Sequence, residues 1–320
     1  MTRIYKRKTH LFVVIMVMSL GAQSQDLPIY NHYFSNPFFY NPSYSAAKKY
    51  AELNLLYRQQ WTGIEGAPIF SNLTLTAPIS TRLGFGLNIY NNRRGVITTN
   101  SAQASLSYKV QFNTNTNLSF GFSAGAGRNS LDINQVDPTD PAVARLLSNS
   151  FFLEGQAGMN FQYKNLNIGF SLPQFFDRTI VDSNSLQPVN VNPFNVTISS
   201  ITYKIHLSPS VSFQPMIVYK THTNINNKNV MEGYGTLYIK DAFWFGISYR
   251  QNYGAGAQVG FQISKILQLG YSHEFASSQA SELNFNTHEF RLSIRLSKES
   301  NRIQNVPPKI RSLPKGLKRR

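Results

Sequence analysis

The sequence contains no cysteine, and this absence excludes several kinds of protein at once. Neither a disulfide framework nor a thiolate metal site is available, and a lipoprotein anchor, which needs an N-terminal cysteine, is excluded as well. Charged residues are also scarce, at 14% of the 320 residues. Because 42% of the residues are hydrophobic, however, the chain has enough apolar material to fold and is not intrinsically disordered.

Long hydrophobic runs are absent too, apart from one short run near the N-terminus. A basic segment precedes the apolar residues Leu11–Leu20, and Ala22 and Ser24 follow as a small-residue cleavage site. This run is too short for a helix that crosses a bilayer, which needs about 20 apolar residues. The pattern predicts a secretory signal peptide at residues 1–24, cleaved after Ser24, and therefore an exported protein.

Most of the excess positive charge lies at the two ends of the chain. The net charge is +16. Four basic residues fall in the predicted signal peptide, and eight fall in the segment 298–320 beside the single acid Glu299. An exported protein does not ordinarily meet nucleic acid, so we predict no nucleic-acid partner. The tail, residues 297–320, is interpreted either as disordered or as a segment that binds lipid phosphates or an acidic partner.

Between these ends, apolar residues alternate with small or polar ones. In the segment Leu53–Trp61, for example, Leu53, Leu55, Tyr57 and Trp61 share one face, whereas Asn54, Arg58 and Gln60 share the other. Alternation of this kind predicts a β-strand with one apolar face. Fourteen such segments occur, at about the length that a tilted strand needs to cross a bilayer. They are 51–61, 69–78, 82–91, 101–112, 117–127, 151–163, 165–172, 193–205, 209–220, 229–240, 242–251, 255–263, 266–275 and 287–296.

Alternation alone fits either a soluble β-sandwich or an outer-membrane barrel, and the lengths of the connections favour the barrel. Connections after even-numbered strands are short, such as His206–Ser208, whereas 128–150 and 173–192 are long. We therefore predict an all-β fold, a transmembrane outer-membrane β-barrel of about 14 antiparallel strands over residues 51–296. Its short turns are expected in the periplasm, and its long extracellular loops are expected to offer a surface to cargo.

Residues 25–50 carry Asn and Pro between aromatic residues. This composition favours an extended, locally hydrogen-bonded segment, which we call the strap, rather than a strand. We expect the strap to pack in or under the barrel and to close its lumen. The barrel would then act as a docking platform rather than as an open pore.

Catalytic signatures such as GxSxG and HExxH do not occur in the sequence. His288 and Glu289 are adjacent, but neighbours on a strand point to opposite faces and cannot form an acid–base pair there. We predict no enzymatic activity, no cofactor and no metal site. Glu289, Arg291 and Arg295 are interpreted as charges in the lumen, where Glu289 is neutralised by Arg291 or by a cross-strand partner.

The segment Tyr57–Pro68 reads YRQQWTGIEGAP and resembles the YRxQWxGxxGxP hallmark of the PorP/SprF family. These are outer-membrane proteins associated with type IX secretion and gliding in Bacteroidetes. Tyr40–Tyr44, Leu83–Leu87, Trp244–Arg250 and Thr287–Leu292 resemble further family segments in the same order. The residues that carry the resemblance, in structural or docking roles, are Asn41, Pro42, Tyr57, Arg58, Gln60, Trp61, Gly63, Gly66, Pro68, Trp244, Gly246, Tyr249, Arg250, His288 and Glu289.

The resemblance implies a non-enzymatic outer-membrane component that assists type IX export or the surface retention of a cargo such as a large adhesin. It also implies contact with periplasmic ring or peptidoglycan-associated components. The alternative function is a passive porin or uptake channel. The chain departs from the family at Asn91–Gly95, which lacks the usual acidic residue, and in the basic tail after Leu296. Interactions that rely on that acid or on a terminal strand are not carried over.

Overall fold

The structure, a computed structural model, describes most of the predicted barrel and strap. The described residues are 30–132, 134, 136, 151–176, 193–223, 229–251, 253–275 and 286–296. The predicted signal peptide, the basic tail and most of the two longest loops therefore lie outside the described residues. Within the described part of the chain, no helix is long and apolar enough to span a membrane.

The described part of the strap is wound into short turns rather than extended. Its three 3₁₀ turns are Asn31–Phe34, Pro37–Phe39 and Pro42–Ala46. Proline begins the second and third turns, where its fixed φ suits the turn and its missing N–H costs no internal hydrogen bond. Asn41 caps the third turn, because its Oδ1 accepts a hydrogen bond from the Ser43 N–H at 3.1 Å. These local signals explain why a segment without apolar periodicity is nonetheless ordered.

In the described part of the chain, fifteen strand segments follow the strap. They are β1 (Glu52–Gln59), β2 (Ile69–Pro78), β3 (Leu83–Arg94), β4 (Ile97–Asn113), β5 (Thr116–Leu131), β6 (Phe151–Tyr163), β7 (Leu166–Leu172), β8 (Val196–Tyr203), β9 (Ile205–Ser208), β10 (Val211–His222), β11 (Val230–Ile239), β12 (Phe243–Arg250), β13 (Gly254–Gln262), β14 (Leu267–Glu274) and β15 (Thr287–Arg295).

The sheet closes on itself into a barrel. Successive strands pair antiparallel, and β1 pairs with both β2 and β15. β8 and β9 are two parts of one strand interrupted at Lys204, since both pair with β10. Fourteen strands therefore form the wall, and the predicted outer-membrane β-barrel is confirmed. Closure pairs both edges of the sheet, as a wall that faces lipid requires.

The observed strands follow the predicted segments, with differences at some ends. β4 and β5 are longer than predicted and reach Asn113 and Leu131. His206–Ser208 was predicted as a turn, but it belongs to β9, and the turn falls at Pro209 and Ser210. That prediction was wrong because the polar residue His206 continues the ladder with β10, where it lies opposite Ser212.

The two faces of the wall have opposite polarity. On β1, Asn54 and Arg58 point inward and are buried, whereas Leu55 and Tyr57 point outward and are exposed. The most exposed large apolar side chain of the wall is that of Ile247, at 71%. A soluble sandwich would bury such residues between its sheets, so the sandwich alternative is wrong for this chain. The apolar exterior is the surface that lipid requires.

The barrel has two different ends, which we call the short-turn end and the long-loop end. At the short-turn end, Lys164 and Asn165 join β6 to β7, and Lys240–Ala242 join β11 to β12. Lys240 and Asp241 both have a φ of 51°, as a type I′ hairpin turn requires. β1 begins and β15 ends at the same end. Short turns face the periplasm in barrels of this kind.

One sector of the membrane-facing wall is indented. A cleft of about 920 Å³ there is lined by outward-facing apolar residues of β13 to β15 and β1 to β6, among them Leu55, Tyr57, Ile89, Phe261 and Phe290. Because strands as far apart as β6 and β13 line one cleft, the wall is concave around the seam between β1 and β15. Tyr57 of the sequence motif therefore faces this cleft and not the lumen.

Candidate functional site

The third turn of the strap lies in the lumen against β3 to β7, and glycines of the wall make room for it. Gly84 lies against Ala46, and Gly121 lies against Pro42 and Ser43. A Cβ added at Gly121 would be 2.3 Å from the backbone nitrogen of Ser43, a distance that forces the backbone to move. In the sequence these glycines are only small members of an alternating pattern. In the structure they form the contact surface for the strap.

Asn41 joins this turn to the wall through its side-chain nitrogen and caps the turn through its side-chain oxygen. Its Nδ2 donates to the carbonyl oxygens of Met159 at 3.1 Å and Phe170 at 3.3 Å, on β6 and β7. Its Oδ1 accepts from the N–H and the hydroxyl of Ser43, at 3.1 Å and 2.6 Å. A buried hydrogen bond contributes about 1 kcal/mol net, and a lost partner costs more. Asn41 is therefore both the cap of its turn and a link between strap and barrel.

An aromatic cluster surrounds the middle of the strap. The ring centroid of Phe39 lies 4.6 Å from that of Tyr40, 5.6 Å from that of Phe70 and 6.0 Å from that of Tyr90. All three contacts are edge-to-face, the arrangement that the aromatic quadrupole favours. The carbonyl oxygen of Phe39 also accepts a hydrogen bond from Gln156 Nε2 at 3.1 Å. The strap is thus packed against the wall along its length and not merely attached at one point.

The first turn of the strap is held by a buried carboxylate of β15. Glu289 Oε1 accepts from the backbone N–H of His32 at 2.9 Å and contacts its Nδ1 at 2.6 Å. Its Oε2 accepts from the N–H of Asn31 at 3.1 Å. Both His32 and Glu289 are inaccessible to solvent. Hydrogen bonds to a charged acceptor are about twice as strong as neutral ones, so this contact fixes the beginning of the described strap.

Glu289 also belongs to a row of buried charged side chains, which we call the ion chain. Arg58 donates to Glu289 Oε2 at 3.2 Å and to Glu274 Oε2 at 2.7 Å. Arg250 donates to Glu274 Oε1 at 2.9 Å and to Glu232 Oε1 at 2.7 Å. The ion chain runs in the order Glu232, Arg250, Glu274, Arg58, Glu289 and His32.

The strand register explains why these charges meet. Arg58 lies directly opposite Glu289 in the β1–β15 ladder, which is the cross-strand partner that one of the two sequence alternatives expects. Arg250 lies opposite Gly254 on β13, and Gly256 of the same strand lies opposite Glu274. Because β13 presents glycines at this level, the guanidinium of Arg250 reaches across it to β14.

The ion chain holds three carboxylates and two guanidiniums. The Glu232 carboxylate is further satisfied by the hydroxyl of Tyr234, which donates to its Oε2 at 2.5 Å. Removing one member of a buried ion pair leaves an uncompensated charge and costs about 3–5 kcal/mol. The ion chain therefore connects the strap to the wall, and loss of one member destabilises this connection.

A second buried carboxylate lies on the other side of the lumen. Glu154 on β6 accepts from the hydroxyl of Tyr90 at 2.5 Å and from Gln103 Nε2 at 2.6 Å. The Ser101 hydroxyl donates to Oε2, the same oxygen that accepts from Gln103. Neutral donors surround this carboxylate in the hydrogen bonds that the structure shows, in contrast to the guanidiniums around Glu274.

At the short-turn end, the strap meets the first strand at a half-buried lysine. Lys48 pairs with Glu52 four residues later. Burial lowers the pKa of Lys48, and burial raises the pKa of the nearby Tyr44 to about 12. The two predicted lumenal arginines of β15 also lie toward this end: Arg291 is buried and donates to Asn54 Oδ1 at 2.7 Å. The guanidinium of the half-buried Arg295 lies 4.0 Å from the centre of the Tyr50 ring.

The connector Trp61–Pro68 forms an ordered turn at the long-loop end. Gly63 and Gly66 have φ values of 105° and 72°, which side chains other than glycine rarely adopt. The N–H of Gln60 donates to the carbonyl oxygen of Pro68 at 2.9 Å and closes the base of the turn. The Gly66 carbonyl oxygen accepts from the N–H of Gly95, also at 2.9 Å. The exposed side chain of Trp61 projects from this fixed frame.

The motif residues of β12 have separate places. Trp244 points inward, and its ring fills the space in front of Gly260, where a Cβ would lie 1.9 Å from the ring. Gly246 leaves room for the side chain of Gln258. Tyr249 points outward and is exposed. Of the family-motif residues, only Arg58, Arg250 and Glu289 are brought together in one network.

His288 lies on the outer face of the wall, separated from Glu289 by the strand itself. Its Nδ1 is 2.8 Å from the hydroxyl of Tyr271, and its ring centroid is 4.9 Å from that of His273. Among the described residues, no group of three or more His, Asp and Glu side chains is placed to hold a metal ion. The adjacent His288 and Glu289 therefore take part in two unrelated contacts.

Sequence reasoning missed three members of the ion chain: Glu232, Glu274 and His32. Glu274 shares the inward face of β14 with Gly270 and Ser272, and Glu232 shares that of β11 with Tyr234 and Thr236, so strand alternation could have assigned both to the lumen. Their pairing depends on the register and on the glycines of β13, which the sequence does not specify. His32 lies outside any alternating pattern, and nothing in the sequence connects it with Glu289.

Comparisons with known proteins give a family match over most of the chain. A family model described as the type IX secretion system membrane protein PorP/SprF matches residues 22–294. No curated protein sequence matches the chain.

Several solved structures resemble the fold. The CymD monoaromatic hydrocarbon channel is 13% identical, with a TM-score of 0.46 and coverage of 81% of this chain and 91% of that one. The toluene transporter TodX of P. putida is 9% identical, with a TM-score of 0.46 and coverage of 82% and 94%. The outer membrane protein Omp33 of Acinetobacter baumannii is 8% identical, with a TM-score of 0.43 and coverage of 77% and 97%.

Proposed function

This chain belongs to the PorP/SprF family of type IX secretion system membrane proteins, and we propose that it assists the export or surface retention of a secreted, adhesin-like cargo. The proposed role is non-enzymatic and includes a part in gliding or attachment. It requires an exported protein, for which we propose that residues 1–24 are a cleaved signal peptide. The outer-membrane β-barrel supplies the membrane location for such a role.

The observation that carries the proposal is the strap held inside the barrel. Its first turn is bound by Glu289, its middle by an aromatic cluster, and its third turn by Asn41 and the wall glycines. Because the strap occupies the lumen over this length, the barrel is better suited to a docking platform than to a permanently open channel. We therefore prefer docking of cargo to passive diffusion of solutes.

The long-loop end is the side that we propose for cargo. The Trp61–Pro68 connector is ordered there by glycine geometry and by its hydrogen bond to Gly95, and it presents an exposed Trp61. Large aromatic residues in a fixed frame are common anchors of protein interfaces. At the opposite, periplasmic end we propose contact with ring or peptidoglycan-associated components of the secretion machinery.

The alternative function is a porin or uptake channel. The strap argues against it, because an open diffusion path needs a lumen clear of protein. The alternative differs from the main proposal in what it requires outside the barrel: a porin needs no cargo at the long-loop end.

Site-specific photo-cross-linking in intact outer membranes tests the proposal. A photoreactive residue is placed at Ile64, which is exposed in the connector, and the matched control position is Ile266, which is exposed at the short-turn end. We expect Ile64 to capture a secreted surface protein and Ile266 to leave that protein uncaptured. Capture of the same cargo from both positions, or of nothing but copies of the barrel itself, would contradict cargo docking and favour the porin.

A further inference from the structure

Charge is sorted along the axis of the barrel, and the short-turn end carries most of the positive charge. The basic residues at this end are Lys48, Lys49, Arg82, Lys109, Lys164, Lys204, Lys240, Lys265 and Arg295, whereas the acidic ones are Glu52 and Asp241. Among the described residues of the long-loop end, basic and acidic side chains nearly balance. They are Arg58, Arg93, Arg94, Arg128, Lys220 and Arg250 against Glu65, Asp132, Glu154, Glu232, Glu274 and Glu289.

Four of the basic side chains are exposed and lie in, or directly at, four different short turns. Arg82 ends the turn between β2 and β3, and Lys164 lies in the turn between β6 and β7. Lys240 and Lys265 lie in the turns before β12 and β14. We call these four residues the basic ring. Because consecutive turns follow one another around a closed barrel, the basic ring is spread around the circumference and does not form a patch on one side.

Each member of the basic ring lies beside exposed apolar side chains of the membrane-facing wall. Leu83 follows Arg82, Ile266 follows Lys265, and Phe243 lies three residues after Lys240. The ammonium group of Lys164 lies 5.4 Å from the centre of the exposed Tyr163 ring. Aromatic and basic residues adjoin in this way at the boundary between hydrocarbon and head groups, where lysine extends its charge toward the polar layer.

We propose that the basic ring binds the phosphate groups of anionic phospholipids in the leaflet that borders the short-turn end. A ring around the whole circumference matches an annulus of lipid, whereas a protein partner would contact one sector. The positive charge and the adjoining apolar belt match the two parts of a phospholipid, its phosphate and its acyl chains. This inference goes beyond the proposed role in secretion and does not depend on it.

Spin-labelled lipids measure the preference directly. The full chain is reconstituted in phosphatidylcholine vesicles with a trace of spin-labelled phosphatidylglycerol or spin-labelled phosphatidylcholine, and the immobilised fraction of each label is compared. We expect an association constant about two- to fivefold higher for phosphatidylglycerol at low salt, since a lysine near an anionic surface contributes on this scale. The preference should fall as salt is added, because exposed charges are screened.

The variant R82Q/K164Q/K240Q/K265Q should lose the preference, and the matched long-loop variant R93Q/R94Q/R128Q should keep it. Heat-modifiable mobility on gels confirms that each variant is folded, and the single variant Lys164→Gln should show a partial loss if the quadruple variant does not fold. Deletion of residues 298–320 should leave the preference in place. Equal association of the two lipids with the unchanged protein, retention of the preference without the basic ring, or its disappearance on deletion of the tail alone would overturn the proposal.

Discussion

The two ends of the strap are held in the barrel by different forces. The first turn is held by charge, through Glu289 and the ion chain. The third turn is held by shape and by neutral hydrogen bonds, with Gly121 against the backbone and Asn41 bonded to β6 and β7. The two forces differ in how they fail. A charged contact fails abruptly when one member is lost, whereas a packed contact fails in proportion to the misfit.

The difference also bears on which end can move. The third turn is held by close packing of its backbone against the wall glycines. The charged end has exchangeable partners, since Arg58 contacts both Glu274 and Glu289. Any rearrangement of the strap during function is therefore expected to begin at its first turn.

The largest effect is expected at the charged end. Replacing Glu289 with Gln keeps the shape but leaves Arg58 and the first turn without this carboxylate. We expect the free energy of unfolding, measured by denaturant titration in vesicles, to fall by about 3–5 kcal/mol. Arg295→Gln removes a half-buried charge near the other end of β15 and serves as the control, with a much smaller loss. Equal losses in the two variants would show that the ion chain is not the stronger attachment.

An intermediate effect is expected at the packed end. In Gly121→Val, the new side chain collides with the backbone of Pro42 and Ser43, and overpacking of this kind costs about 1–3 kcal/mol. Displacement of the third turn should open a path through the lumen. Planar-bilayer recordings should therefore show new conductance steps, while the unchanged protein and the outward-facing control Ala124→Val stay closed. Large stable openings in the unchanged protein would refute closure by the strap.

The smallest effect compares one hydroxyl at each end. The hydroxyl of Ser45 donates to the carbonyl oxygen of Pro42 at 3.0 Å and lies 2.7 Å from the Ser107 hydroxyl, which can donate to it, so Ser45→Ala should cost about 1 kcal/mol. Ser35 donates locally, to the carbonyl oxygen of His32 at 2.8 Å, so Ser35→Ala should lower the free energy of unfolding by less. Thermal unfolding of both variants measures the two losses. A larger loss of stability in Ser35→Ala than in Ser45→Ala would show that neutral hydrogen bonds do not contribute more at the packed end.

Much of the wall could be predicted from the sequence, because alternation in a strand directly reports which face meets lipid. The segment 69–78 was predicted to the residue, and the inward direction of Arg58 follows from the same alternation. The ion chain could not be predicted in full, because it joins residues that are close only after the register of β12 to β15 and β1 is fixed. Its contact with His32 depends on the path of the strap, which has no periodic pattern to read.

The seam between β1 and β15 gives the strap a consequence for assembly. Arg58 and Glu289 face each other across the ladder that closes the barrel, and Glu289 also binds the first turn of the strap. The strap continues directly into β1, so the segment that occupies the lumen is covalently joined to a strand that closes the wall. The lumen is therefore occupied by a segment of the same chain, anchored at the seam, and not by a separate plug domain.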